Sequence, residues 1–589
     1  MCGIVGYLGK GRSRQFVVSR LKKLEYRGYD SSGIAFNNGE KIDSVKAVGN
    51  IANLENLITD ERAVQCAIAH TRWATHGKPS VKNCHPHASQ TGVWSIVHNG
   101  IIENYEEIKN GLKTPTDSDT DTSTVAQLLE ERSARTIGDF IEVFKEVEGS
   151  YAIVAMNSEK LDELFIARNR SPLYVAENEG EYLVASDPIC FVGFAKQYYS
   201  FNNYEYAHIS GQKIKFYDIN MKELKKELVK LDDCFEETQK FDYEHFMLKE
   251  IMEQPEALKR QVKTYRDTNV LAKFDKKFIE KFDYIDFIGC GTAYHASMVG
   301  ARYIEKLTGI RAGAEIASEF IYKEPVFANE RTLFVFVSQS GETADTLMAM
   351  NIAKQHGATC IALTNVLYST IAKQADLVLP VCAGPEIAVA STKAYVCQLS
   401  ALYMFAKHLN NQINDTQYDY LKDVELVSNK ILDFDKDSIS LIAERIKDEM
   451  NPIFIGKDLD YIAACEASLK LKEVAYVNAT NYPSGELKHG FLALIEDNTP
   501  LIVFATEEKV RVKTLNAAHE AVSRGAFQIT ITNDGSLGYD NLIVIDVENE
   551  LLMPMLEIAP MQYLAYEVSV KKGINPDQPR NLAKSVTVE

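Results

Sequence analysis

Short apolar runs separated by turn residues dominate the first 230 positions of the chain. CGIVGYL, SGIAF, CAIAHTRW, VWSIVHNG, YAIVAMN, LFIARN and YLVAS each have the length of a strand, and Asn, Gly and Asp punctuate them. Two stretches, 16–24 and 122–131, break this rhythm with apolar residues at helical spacing. The pattern predicts an α+β sandwich over 2–230, followed by a polar connector over 231–250.

Beyond the connector the pattern changes. YIDFIGCG, RTLFVFVS, ATCIALTN and DLVLPV read as buried strands with helical stretches between them, which predicts a doubly wound parallel sheet. The scheme then repeats. FIGCGTAYHASMVGARYIEK starts at Phe287 and FIGKDLDYIAACEASLKLKE at Phe454, an offset of 167 residues. Glu319 and Glu486 share that offset, as do FVFVSQSGE and LIVFATEEK. HGATCIALTN and RGAFQITITN end at Asn365 and Asn533, 168 apart. Four landmarks in one register indicate a duplicated α/β domain, with copies at 251–430 and 431–575. In the tail, 576–589, Pro576 and Pro579 argue against a helix.

Composition narrows the function classes. The 589 residues are 46% hydrophobic and 25% charged, an ordinary globular balance with room for several domains. A net charge of −18 argues against nucleic acid as a main partner, because phosphate backbones call for Lys/Arg surfaces. No apolar run approaches the ~20 residues of a membrane helix, and MCGIVG does not open a signal peptide. Ten cysteines without a CxxC pair suit reduced thiols in the cytoplasm rather than disulfides or a zinc clip.

Several residues carry candidate chemistry. Removal of Met1 would put a thiol and an α-amine on one residue, Cys2, the amine having a reference pKa near ~7.7–8.0 suited to a general base. By position alone Cys2 fits a buried structural cysteine more readily than a nucleophile. Asp119 or Thr120 can cap the helix after it. His70, His76, His85 and His87 match no standard zinc spacing, so no metal is expected, and His98 reads as structural. SQSGETADT (338–346) follows a predicted strand and opens a predicted helix. It is either a phosphate cradle of hydroxyls and backbone N–H groups or a Ser-rich helix cap. The matching ATEEK of the second copy carries two acids that would repel phosphate, so one copy keeps the pocket. Cys290-Gly291-Thr292 and Ala390-Ser391-Thr392-Lys393 are further lining candidates. Glu466, Lys470 and Glu473 share one helical face, as a surface ion pair or as chemistry, and His489 sits in a turn.

The ordered motifs CGIVG, LEYRGYDSSG (24–33), AHTRWATHG (69–77), VHNGIIEN (97–104) and SDTDTS (118–123) resemble the class-II glutamine amidotransferases. The later segments, with the tail DQPRNLAKSVTVE, resemble the sugar isomerase (SIS) domains of the isomerizing glutamine–fructose-6-phosphate aminotransferase family. The resemblance implies an N-terminal-nucleophile glutaminase sandwich followed by two duplicated α/β SIS domains with parallel sheets. It implies that Cys2 attacks glutamine, that Asn99 and the Gly100 N–H form the oxyanion hole, and that Arg72 and Asp121 hold the glutamine carboxylate and ammonium. Trp73, Thr75 and His76 would close over glutamine.

For the sugar half it implies a phosphate site at Ser338, Gln339, Ser340 and Thr343, with Thr292, Ala390 and Ser391 lining it. His489 would open the ring, Lys584 would form a Schiff base, and Glu473 would move a proton beside Lys470. Schiff-base chemistry calls for a lysine of lowered proton affinity. The implied partners are L-glutamine and fructose 6-phosphate in a cytoplasmic homodimer, with His489 reaching a neighbour's site. No cofactor, metal, nucleic acid or membrane is expected. Ammonia would travel through a channel closed by Trp73 and the tail. The chain departs from the family pattern at Ala293, Ala467, Ser468, Asn478, Thr480 and Phe491, which leaves open a paralogue acting on another ketose phosphate. A phosphoribosyl acceptor would need a VDDSIVRGT-like strand and an asparagine synthetase an SGGLDS-like loop, and the sequence has neither.

Overall fold

The computed structural model describes residues 2–59, 62–73, 77–211, 213–231, 240, 242–323, 328–449 and 451–586. The chain divides into two compact units, 1–237 together with 583–589, and 238–582.

The first unit is the expected sandwich. An eight-stranded sheet holds Gly3–Ser13 between Ala63–Arg72 and Glu181–Ala185, and a seven-stranded sheet holds Trp94–Ile102 beside Gly149–Asn157. The strand alternation read from the sequence sorts the two faces. Ile4, Leu8, Cys66, Ile68, Val97, Ala152 and Val154 meet in one core that draws on both sheets. The alternate positions Trp94, Ile96, Tyr151 and Ile153 pack with the helices Asp121–Glu131 and Ile137–Phe144. This parity continues to the strand ends. It sends His70, Arg72 and Asn99 to the inter-sheet face and His98 to the helix side.

In the second unit, the duplication is visible as topology. One five-stranded sheet runs Arg311–Ile316, Tyr284–Gly289, Thr332–Ser338, Thr359–Thr364, Leu377–Pro380, and the other Thr480–Pro483, Ile453–Gly456, Pro500–Phe504, Phe527–Thr532, Leu542–Val544. Every pairing in both is parallel, in the same doubly wound order. Helices Thr292–Thr308 and Lys393–Asn414 of the first copy share one hydrophobic core with Leu459–Ala475 and Ile558–Lys571 of the second. The expected polar connector carries a helix, Phe246–Met252. Its first N–H groups, from Phe246 and Met247, are held by the Asp577 carboxylate at 2.9 and 2.8 Å, so the non-helical tail is anchored at that point. Among the described residues no helix is long and apolar enough to cross a membrane.

Candidate active sites

In the first unit Cys2 immediately precedes the strand Gly3–Ser13 and is half-buried. Its thiol accepts the Trp73 N–H at 3.3 Å and lies 3.5 Å from the Trp73 carbonyl. Burial pushes the thiol above its ordinary pKa, with the Trp73 N–H and the Arg72 guanidinium opposing. Asn99 Nδ2 donates to the Cys2 carbonyl at 3.0 Å. Gly100 has φ +133°, and a Cβ there would lie 1.9 Å from the Ser150 carbonyl oxygen, so only glycine fits.

Arg72 is buried and donates to the Gly77 carbonyl at 3.1 Å. Trp73 meets Tyr29 edge-on at 5.9 Å. Thr75 and His76 lie outside the described residues. Asp121, the first helical residue, accepts the Ile102 and Thr122 N–H groups, each at 2.9 Å. Thr120 is the N-cap residue, but neither it nor Asp119 caps with its side chain; its hydroxyl goes to His87 at 3.0 Å instead. Two residues that the sequence reading left aside stand next to this group. His70 Nε2 lies 3.1 Å from Asn99 Oδ1, and His98 Nδ1 lies 2.9 Å from Thr122 Oγ1. The signal was the alternation in HTR, which puts His70 on the face of Arg72.

In the second unit the turn after Thr332–Ser338 is tightly cross-linked. Ser338 Oγ accepts the Gly341 N–H at 3.0 Å and lies 3.1 Å from Thr343 Oγ1, while Ser340 Oγ accepts the Glu342 N–H at 3.2 Å. Gly341 has φ +65°, and a Cβ would come 2.1 Å from Ser369 Oγ. The Gln339 carbonyl accepts the Asn365 N–H at 3.2 Å. Thr343 is the N-cap of Ala344–Gln355 without a side-chain cap bond, which leaves the hydroxyl-rich turn at a helix N-terminus. Ala390 is buried, and Ser391 Oγ donates to Glu386 at 3.0 Å.

Thr292, Lys470 and Glu473 come together. Lys470 Nζ lies 2.6 Å from Glu473, 3.2 Å from Glu466 and 3.0 Å from Thr292 Oγ1, which itself donates to Glu466 at 3.0 Å. His295 Nδ1 is 2.7 Å from the other Glu466 oxygen. Lys470 and Glu466 are fully buried, so the surface-ion-pair reading is wrong. Burial works against the Lys470 charge, but Glu466 and Glu473 outweigh it and raise its pKa. Lys470 is therefore a fixed cation rather than an amine of low proton affinity. His489 is exposed at the end of the turn Ser484–His489, and Lys584 belongs to the terminal segment of the first unit.

In the second copy the matching turn is engaged within the fold. Glu507 accepts the N–H of Leu459, at the start of Leu459–Ala475, at 2.8 Å and pairs with Lys306 at 2.8 Å. The acid expected to repel an anion supplies the anion itself at a helix N-terminus.

Residues 70–192 match the glutamine amidotransferase domain family, and 278–408 and 446–572 each match the SIS domain family. The chain is similar along its full length, and that of each relative, to glutamine–fructose-6-phosphate aminotransferases (isomerizing) of Fusobacterium nucleatum at 40% identity and Clostridium tetani at 41%. A solved structure, the C-terminal domain of glucosamine-fructose-6-phosphate aminotransferase from Francisella tularensis, is 34% identical with a TM-score of 0.54, covering 58% of this chain and 100% of its own. With full-length relatives at about 40% identity and both domain families in order, the chain belongs to the isomerizing glutamine–fructose-6-phosphate aminotransferase family.

Proposed function

We propose that the protein converts L-glutamine and fructose 6-phosphate to L-glutamate and glucosamine 6-phosphate, in the cytoplasm and as a homodimer. The reading rests on one observation above others. Cys2 with the Asn99 amide on its carbonyl, a Thr292–Lys470–Glu473 cluster around a buried Lys470, and a hydroxyl-rich turn at a helix N-terminus occur in one chain.

In the first unit Cys2 Sγ attacks the glutamine carboxamide carbon, its proton passing to the α-amine exposed by removal of Met1. The developing oxyanion takes hydrogen bonds from Asn99 Nδ2, displacing the Cys2 carbonyl, and from the Gly100 N–H. Ammonia leaves and water hydrolyses the thioester. Arg72 and Asp121 hold the two charged ends of glutamine, and Trp73, Thr75 and His76 close over it.

In the second unit the phosphate sits on Ser338, Gln339, Ser340 and Thr343. His489 of a neighbouring copy assists ring opening; the Lys584 amine condenses with the C2 carbonyl and releases water, and ammonia then displaces that amine to leave the imine at C2. Glu473 takes the C1 proton and returns it at C2, held in place by the Lys470 cation. The ammonia reaches C2 without mixing with solvent, where it would be protonated. The departures Asn478 and Phe491 bond to Asn451 and stack on Tyr482 at 3.7 Å, and neither contacts the Lys470 cluster.

The test supplies amide-15N glutamine and fructose 6-phosphate in a buffer containing excess unlabelled ammonium. The expected result is one glutamate per glucosamine 6-phosphate, with 15N in the sugar. Glutamate without amino sugar refutes the reaction, and unlabelled product refutes the enclosed transfer.

A further inference from the structure

One fully buried side chain of the first unit has no part in the chemistry above yet touches its machinery. His70 is on the strand Ala63–Arg72 of one sheet and Asn99 on Trp94–Ile102 of the other. A side-chain amide has nearly the same shape when turned by 180°, but only one orientation puts a donor toward Cys2. Something must therefore fix it.

His70 has the means. Its Nε2 lies 2.9 Å from the His98 carbonyl oxygen and 3.1 Å from Asn99 Oδ1. A carbonyl oxygen only accepts, so the His98 contact alone requires the ring proton to be on Nε2. Burial favours the neutral ring, lowering the His70 pKa to about 3, so the ring carries one proton. That proton then faces the Asn99 side chain and selects its oxygen, which turns Nδ2 toward the Cys2 carbonyl at 3.0 Å. The ring itself is held against His85, with centroids 4.1 Å apart, and His85 Nε2 is tied to Thr122 Oγ1 at 3.0 Å.

We propose that His70 is a positioning residue for glutamine hydrolysis: through its Nε2–H it holds the Asn99 amide with Nδ2 aimed at the oxyanion that forms when Cys2 attacks. The proposal rests on the assignment of Cys2 and Asn99 made above. It predicts an effect on kcat rather than on substrate binding, because the amide serves the oxyanion and not the ground state.

The experiment measures glutaminase kinetics of the full chain. Cys2→Ala must abolish activity; if it does not, the site assignment fails and not this inference alone. With that control in place, His70→Phe keeps an aromatic ring and removes the donor. It should lower kcat about tenfold to a hundredfold, a fraction of the loss from deleting an oxyanion donor, with KM for glutamine within about twofold. His70→Gln, whose amide can donate to Asn99, should recover most of the loss. In the Asn99→Ala background His70→Phe should cost nothing further. Undiminished kcat in His70→Phe, no recovery by Gln, or a full additional loss in the double variant would overturn the proposal. Neutron diffraction from crystals of the unaltered protein gives an answer that needs no variant to fold: a deuteron on Nε2 supports it, and one on Nδ1 refutes it.

Discussion

Thr292 and Lys470 belong to different copies of a duplicated domain, and their side chains meet at 3.0 Å. Each is on a helix that follows the first strand of its own sheet, Thr292–Thr308 after Tyr284–Gly289 and Leu459–Ala475 after Ile453–Gly456. Stacking these equivalent helices lets one copy supply the hydroxyl and the other the charges. Neither copy has the full set alone, which is what divergence after duplication permits.

Lys470→Met should leave Glu466 buried with His295 and Thr292 but without its cation. Breaking a buried ion pair from one side costs about 3–5 kcal/mol. The second unit should lose stability of that order in urea titration, and amino-sugar formation should vanish. Glutamate release in the first unit should persist at near the original rate.

Gly341→Ala meets two obstacles, a positive φ and the Ser369 hydroxyl 2.1 Å from the new Cβ. The strain is worth about 1–3 kcal/mol and falls on the turn that carries Ser338 and Ser340. KM for the sugar phosphate should rise several-fold while KM for glutamine stays constant, as steady-state assays with each substrate varied in turn would show.

Much of this was legible in the sequence, and the parts that were not share a cause. Period-two alternation gave the sandwich, and a constant offset gave the duplication, because both are local regularities. Cys2, Asn99 and Gly100 stand in motifs whose order carries the resemblance. Glu466 and Lys470 fit either a surface ion pair or chemistry, because four-residue spacing is what exposed ion pairs also show. Only the packing of the second copy's helix against the first reveals that both are buried. His70 is hard to read for a related reason: histidine spacing along the chain speaks only to metal binding, whereas its partner Asn99 is on a different sheet. The sequence marks Glu507 as an acid where the first copy has a hydroxyl-rich turn, but its bond to the Leu459 N–H depends on two turns meeting at the sheet end.

Glu507→Gln tests that internal anion. The change removes the charge at the helix N-terminus and weakens the bond to Lys306. Loss of about 1–3 kcal/mol is expected from a charged hydrogen bond of this kind. With the phosphate proposed to sit on the turn of the other copy, KM for the sugar phosphate should not change. A tighter sugar-phosphate KM in Glu507→Gln would mean that the second copy had gained a pocket, contrary to this account.

The same region sets a pH dependence. Burial pushes the Asp460 carboxyl up to about 7, with Glu507 adding repulsion, and burial together with Asp460 and Glu507 raises Glu557 well above the carboxylate range. Thr506 opposes the shift at Asp460 through its N–H and hydroxyl, at 3.0 and 2.5 Å. A carboxyl whose folded pKa exceeds its unfolded value of about 4 binds more protons when folded. Its contribution is therefore present at low pH and is lost as pH rises from about 4 through about 7. Glu557→Gln removes one of these protons from the balance. Chemical denaturation at pH 5 and pH 8 should show the variant gaining on the unaltered protein as pH rises, with the sign reversed for any group whose folded pKa is depressed, such as Glu466. A stability difference between variant and parent that stays constant over this range would mean that Glu557 is ionised in the folded state throughout, and that a counter-charge offsets its burial.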